Sequence, residues 1–170
     1  MFKSTGVVRR IDIAGRISIP KEIRKKHRLD EDDPVEIGED EENIVLRKYS
    51  AVGQFPDSAK SIIESFSSVT GLPVILCDTD MVVISQKTAL LSGKRISDEL
   101  YEHIKKKSER IPSTPVLSEG SVISGEIEII YSQSRATVGA LIIPECDKEI
   151  TESQMDCLRL CARTIGQLVG

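Results

Sequence analysis

Alternating apolar and polar positions open the chain and predict strands. Thr5 to Ile11 (T-G-V-V-R-R-I) is rich in β-branched residues, Asp12-Ile13-Ala14-Gly15 is a turn signal, and Arg16-Ile17-Ser18-Ile19 resumes the alternation, so a hairpin is expected. Pro20 suits the first position of a helix, where its missing N–H has no intrahelical partner, and Lys21 to Arg28 follow as a short helical stretch. Its positions Lys21, Arg24, Lys25 and Arg28 recur at helical spacing on one cationic face, while Ile23 and His27 fall on a face that can pack. Val35-Glu36-Ile37 and Ile44 to Tyr49 alternate again around a charged turn, Glu39 to Glu42, giving a second hairpin. Two hairpins and two helical turns enclose too little interior to stand alone, so a dimer with interleaved strands is expected.

From Tyr49 to Pro56 the alternation gives way to Ser, Gly and Pro, which places a linker at 51–56 between a domain at 1–50 and another at 57–170. Asp57 or Ser58 can cap a helix through Val69, with Ala59, Ile62, Ile63, Phe66 and Val69 as its buried stripe and Gly71-Leu72-Pro73 as its stop. Val74 to Cys77 and Met81 to Ser85 read as strands joined by Asp78-Thr79-Asp80. Ile96 to Lys107 reads as a helix with Ser97 as cap, on which Ile96, Leu100 and Ile104 repeat every four residues. Strands are expected near Val122–Ile123, at Glu126 to Ser132 and at Thr137 to Ile143. A last helix begins with the capping-box pattern Thr151-x-x-Gln154 and carries Met155, Leu158, Leu160, Cys161, Ile165 and Leu168. That order of elements implies an α+β domain with one antiparallel sheet flanked by helices.

Charge changes the picture at the N-terminus. Residues 1–28 hold nine Lys or Arg against two acids, inside a chain of 170 residues with net charge −4, and residues 30–42 then hold nine acids and no base. A polyanion responds to the local field of a patch and not to the whole-chain average, so the N-terminal region reads as a surface for duplex DNA. With no Trp and only six aromatics, the stacking platforms used for single strands and RNA have few candidates. Arg suits base-edge reading because its planar fork matches the two major-groove acceptors of guanine. Arg9, Arg10, Arg16 and Arg24 are therefore the expected contacts with Lys25 as support, and Lys3, Lys21 and Arg28 are further phosphate contacts. The acid block keeps edge strands soluble. No secretion-signal pattern and no bilayer-spanning apolar run is present, so a cytoplasmic protein away from membranes is expected, with Cys77, Cys146, Cys157 and Cys161 reduced. Cys157 and Cys161, at i and i+4, read as small buried residues of one helix in preference to metal ligands.

The run S-T-G-V-V-R-R-I-D-I-A-G-R-I-S-I-P-K-E-I-R-K (Ser4 to Lys25), with D-P-V-E-I and the closing I-V-L-R-K-Y, resembles the AbrB-type swapped-hairpin DNA-binding domain of bacterial transition-state and sporulation regulators. The resemblance implies an interleaved dimer on DNA, with family arginines matching Arg9, Arg16 and Arg24 and further basic contacts matching Arg10 and Lys25. The remainder, through its order of elements and V-I-L-C-D-T-D (Val74 to Asp80), is similar to the GAF domain of sporulation regulators of that family. This implies a sporulation-specific activator or repressor, homotetrameric through the terminal GAF helices. A GAF fold also implies a small-molecule pocket, here lined by Ile96 to Lys107 and the loop from Gln86, for an unidentified effector. No cofactor constellation is visible.

Other functions have thinner support. A swapped-hairpin antitoxin bound to a protein toxin is the alternative, although such chains end in short acidic tails where this one has a domain-length segment. Asp78-Thr79-Asp80-Met81-Val82 fits the start of a phosphatase motif with Asp78 as nucleophile, but a polar hairpin turn explains it better. Gly120 to Gly125 is not a nucleophile elbow, and the two histidines, His27 and His103, read as a residue packed beside Ile23 and a helix-surface residue. No enzyme is expected.

Overall fold

The computed structural model describes residues 4–108, 111, 114–118 and 124–169. The chain divides into two compact units, Met1–Tyr49 and Ser50–Gly170. In the first, α1 spans Lys21–Lys26, and β1 (Val35–Asp40) pairs antiparallel with β2 (Asn43–Lys48) around the two-residue turn Glu41-Glu42. β1 is three residues longer than its apolar core suggested, because Gly38 to Asp40 continue the ladder opposite Val45 to Asn43. The expected hairpin at residues 5–19 keeps its turn but forms no ladder: residues 7–11 and 16–19 lack strand pairing. Among the described residues of this unit Leu29 is the buried apolar side chain, while Val7, Val8, Ile11, Ile13, Ile17, Ile37, Ile44, Val45 and Leu46 are exposed.

The second unit contains α2 (Pro56–Thr70), β3 (Val74–Cys77), β4 (Val82–Gln86), α3 (Asp98–Lys106), β5 (Gly125–Tyr131), β6 (Thr137–Pro144) and α4 (Glu152–Leu168). Its sheet is antiparallel in the order β4-β3-β6-β5. Alternation along β3 and β6 sends Val74, Leu76, Leu141 and Ile143 to one face, under α2 and α4, and Ile75, Cys77, Ala140 and Ile142 to the other, under α3. Both faces are covered, so all four residues of β3 are buried and the strand reads as a continuous apolar run. The α+β architecture with an antiparallel sheet and flanking helices agrees with the sequence reading.

Several expectations need correction. The stretch 51–56 contains a single 3-10 turn, Val52–Gln54, and Val52 is buried in the core beneath α2 and α4, so its apolar side chain is docked. α2 begins with Pro56 after Phe55 and uses no side-chain cap, so neither Asp57 nor Ser58 has that role. On α2 Val69 is exposed and Ser67 is buried, its hydroxyl donating to the Leu72 carbonyl at 2.7 Å. On α4 Leu160 is likewise exposed, facing away from the sheet. The caps of the other two helices are as expected: Ser97 accepts from the Leu100 N–H at 2.9 Å, and both halves of the Thr151–Gln154 capping box are made. The expected strand at Val122–Ile123 lies outside the described residues.

Candidate nucleic-acid interface

Asp12 builds the first half of the cationic surface. Its Oδ1 accepts the N–H groups of Ala14 at 2.9 Å and Arg16 at 2.8 Å, Gly15 takes the left-handed φ of 76° the turn requires, and the Arg16 carbonyl accepts the Asp12 N–H at 3.0 Å. The turn holds Arg9 and Arg10 on one limb and Arg16 on the other, all exposed. Arg16 Nε lies 3.3 Å from Asp12 Oδ2 with its side chain 81% exposed, a pairing weak enough in water for a phosphate to compete with it.

α1 builds the second half, with Lys21 and Lys25 exposed and Arg24 half-buried. The helix ends two residues earlier than the apolar and basic spacing implies, at Lys26. His27 forms its C-cap and Arg28 turns into the left-handed region at φ 49°, after which Leu29 donates to the Arg24 carbonyl at 2.8 Å and Arg28 to the Lys25 carbonyl at 3.1 Å. These two bonds are a Schellman closure with Arg28 where glycine usually sits. Arg28 is only 8% exposed and stands apart from the exposed Lys21 and Lys25. His27, the C-cap, is exposed, and its N–H still donates to the Ile23 carbonyl at 3.1 Å. Lys3 lies outside the described residues.

Arg47 and Lys48 are engaged by acids of the same unit. Arg47 Nε donates to Glu36 Oε2 at 2.7 Å across the β1–β2 pair, which holds the Glu36 carboxyl below its ordinary range. Lys48 Nζ lies 2.9 Å from Asp33 Oδ2 and donates to the Arg28 carbonyl at 2.9 Å. Sequence spacing gives no sign of this link, because Lys48 is twenty positions from Arg28 in a charge-rich strand.

In the second unit the side of the sheet expected to hold an effector pocket is filled by Leu91, Ile96, Leu100, Tyr101, Ile104 and Val116. A hollow of about 320 Å³ lies elsewhere, beside Gly125, Ile143, Cys146 and Ile150. Asp78 Oδ1 accepts the N–H groups of Asp80 at 2.7 Å and Met81 at 2.6 Å, and Asp80 pairs with Arg95 at 3.1 Å. The D-T-D segment is thus a turn whose leading carboxylate is already occupied by backbone. His103 Nδ1 sits 3.1 Å from the Ser108 hydroxyl. Among the described residues no three His, Cys, Asp or Glu gather to hold a metal, and no helix is long and apolar enough to cross a membrane.

Residues 8–54 match the family model described as antidote-toxin recognition MazE, bacterial antitoxin. The chain is 49% identical over 48 residues to the transition state regulatory protein AbrB of Bacillus subtilis (strain 168), covering 28% of this chain and 50% of that protein. It is 38% identical over 110 residues to stage V sporulation protein T of the same organism, covering 64% of this chain and 58% of that protein. This chain resembles the AbrB-type regulators. The likeness to the sporulation protein extends past the first unit, since 110 matched residues exceed the 49 it contains. The chain spans little more than half the length of these relatives.

Proposed function

We propose that this chain is a sequence-specific regulator of transcription that binds duplex DNA as an interleaved dimer through Arg9, Arg10, Arg16, Arg24 and Lys25, with Lys21 and Lys3 as phosphate contacts. One observation carries the reading: the unit that displays these cations also leaves Val7, Val8, Ile11, Ile13, Ile17, Ile37, Ile44, Val45 and Leu46 exposed. A surface that apolar is covered by another chain, and a second copy doubles the cations facing one duplex. The likeness to a transition state regulator and a sporulation protein supports a regulator of sporulation genes, and we assign it to the cytoplasm as activator or repressor. For the second unit we propose a GAF-type role in assembly, with effector sensing placed away from the filled space beneath α3. Exposed Val69 on α2 and Leu160 on α4 support tetramer formation through the terminal helices.

The test is the salt dependence of duplex binding. With about four cations engaged per protomer, a dimer displaces about eight counterions, and log Kd should change with log salt at a slope of about 7. Arg16→Ala, removing two contacts per dimer, should lower that slope by about 2. Binding that ignores salt, or an Arg16→Ala chain identical to wild type, would refute the assignment. The MazE match favours a second reading, an antitoxin that binds a protein toxin. Limited proteolysis separates the two: a protected C-terminal fragment of about 115 residues is expected of a regulator and not of an antitoxin tail that awaits its partner.

A further inference from the structure

We propose that Lys48, acting with Asp33, is a positioning residue that aims the DNA-contacting end of α1 and thereby sets sequence selectivity, without touching DNA itself. The inference rests on the DNA reading above and concerns the same surface. α1 has six residues and no side-chain cap at its start, so it cannot hold its own direction. Its direction is fixed at the other end, by the closure in which the Arg24 and Lys25 carbonyls accept the N–H groups of Leu29 and Arg28. Those carbonyls belong to two of the three α1 residues assigned to base and phosphate contact, the third being Lys21.

Lys48 fastens that closure to the sheet. One ammonium proton goes to the Arg28 carbonyl at 2.9 Å and another to Asp33 Oδ2 at 2.9 Å, and the same carboxylate oxygen accepts the Asp30 N–H at 2.7 Å. A single cation therefore links the residue after the helix, the acidic loop and β2. The Tyr49 N–H adds a backbone bond to the Pro34 carbonyl at 3.0 Å, fixing the loop against the end of β2. The Lys48 side chain is 12% exposed and that of Asp33 23%, so this ammonium is turned inward where a phosphate has poor access. Its neighbour Arg47 provides the contrast, with its side chain 70% exposed and paired to Glu36 on the opposite face of the hairpin. Loss of the Lys48 link leaves every candidate DNA-contacting cation in place but frees the helix to swing, which harms base reading, demanding fixed geometry, far more than phosphate attraction, which does not.

The experiment uses the full chain and a duplex recovered from a random-sequence pool with the wild type, compared by fluorescence anisotropy with a scrambled duplex of equal length over a range of salt. Lys48→Met and Asp33→Ala are each expected to weaken the selected duplex about tenfold and the scrambled one less than twofold, with the salt slope unchanged. Lys48→Arg, which keeps a donor cation, should recover at least half of that loss, and Arg47→Met should bind both duplexes as wild type does. Equal losses on both duplexes with a slope lower by about 2 would make Lys48 a phosphate contact and overturn the proposal. So would an unchanged affinity for the selected duplex. If Lys48→Met fails to fold as a dimer, Asp33→Ala decides, since it removes the carboxylate that holds Lys48 and leaves the β1–β2 ladder and every DNA-facing cation in place. A wild type without duplex preference or salt dependence would remove the DNA reading itself, a result seen before any variant is examined.

Discussion

Replacing Gly166 by alanine should destabilise the second unit even though alanine is the better helix former. Gly166 lies in α4 where the helix crosses β5, and a Cβ built there would sit 2.0 Å from the Tyr131 carbonyl oxygen, with Ile130 Cγ2 at 3.5 Å. The obstacle is backbone, so relief requires α4 to move away from the sheet by more than about 1 Å, to ordinary contact distance. The residues that would lose packing are Ile165 and Val169, on either side of Gly166 and both buried in the cluster over Ile130 and Leu141. Alanine's intrinsic helix preference over glycine contributes about 1 kcal/mol in favour. Overpacking and partial loss of that burial cost about 3 kcal/mol. The net expectation is a loss of about 2 kcal/mol, a drop in melting midpoint on the order of 5–10 °C for a unit of this size. Far-ultraviolet circular dichroism of the full chain follows it well, because α2, α3 and α4 hold 15, 9 and 17 helical residues against 6 in α1. Thr164→Ala, at an exposed position of the same helix, is the control and should change stability by less than about 0.5 kcal/mol. A Gly166→Ala chain that melts at or above the wild-type temperature would show that propensity wins and that α4 does not approach β5 this closely.

Asp12→Asn should keep duplex affinity within a few-fold, because its amide oxygen still serves the Ala14 and Arg16 N–H groups, whereas Asp12→Ala should weaken it clearly more; equal affinities in a titration would refute the turn's role. Burial pushes the Cys77 thiol up to about 12 and the Cys161 thiol up to about 11, so brief alkylation at mildly alkaline pH should modify exposed Cys146 first and leave those two unmodified by mass spectrometry. Burial also raises the Glu128 carboxyl, against the opposing pull of Arg159 and Arg163. A raised folded pKa means that the native state binds this proton more tightly than the unfolded chain. Its favourable contribution is therefore present below the unfolded value of about 4.3 and is lost as pH rises through the folded value. Glu128→Gln should accordingly stabilise the chain at neutral pH and lose that advantage under acid, as read from unfolding at both pH values.

Local signals read well wherever a residue acts through its own neighbours. The Ser97 cap, the Thr151–Gln154 box and the Asp12–Gly15 turn each close within four residues, and all three form as the sequence predicts. Stripes were less secure at their margins. Val69 and Leu160 fit a helical period, yet the sheet beneath α2 and α4 does not reach them, and Ser67 is buried because the chain turning back at Leu72 supplies it with a carbonyl. Arg28 departs from the helical spacing for a different reason: periodicity from Lys21 assumes that the helix continues, and the closure at Arg28 ends it early and leaves that residue buried.

By itself the sequence determined the division into a cationic hairpin region and an α+β region, the elements of the second unit, and the cluster of bases held by one turn and one short helix. Periodicity and caps are consequences of backbone geometry over a few residues, so they are written locally. Only the tertiary structure decided the strand order β4-β3-β6-β5, the filling of the space beneath α3, the burial of Arg28 and the attachment of α1 to β2 through Lys48 and Asp33. Each of these depends on which distant groups meet. That choice is made by burying apolar area and satisfying polar atoms across the whole unit at once, and no window along the chain contains it.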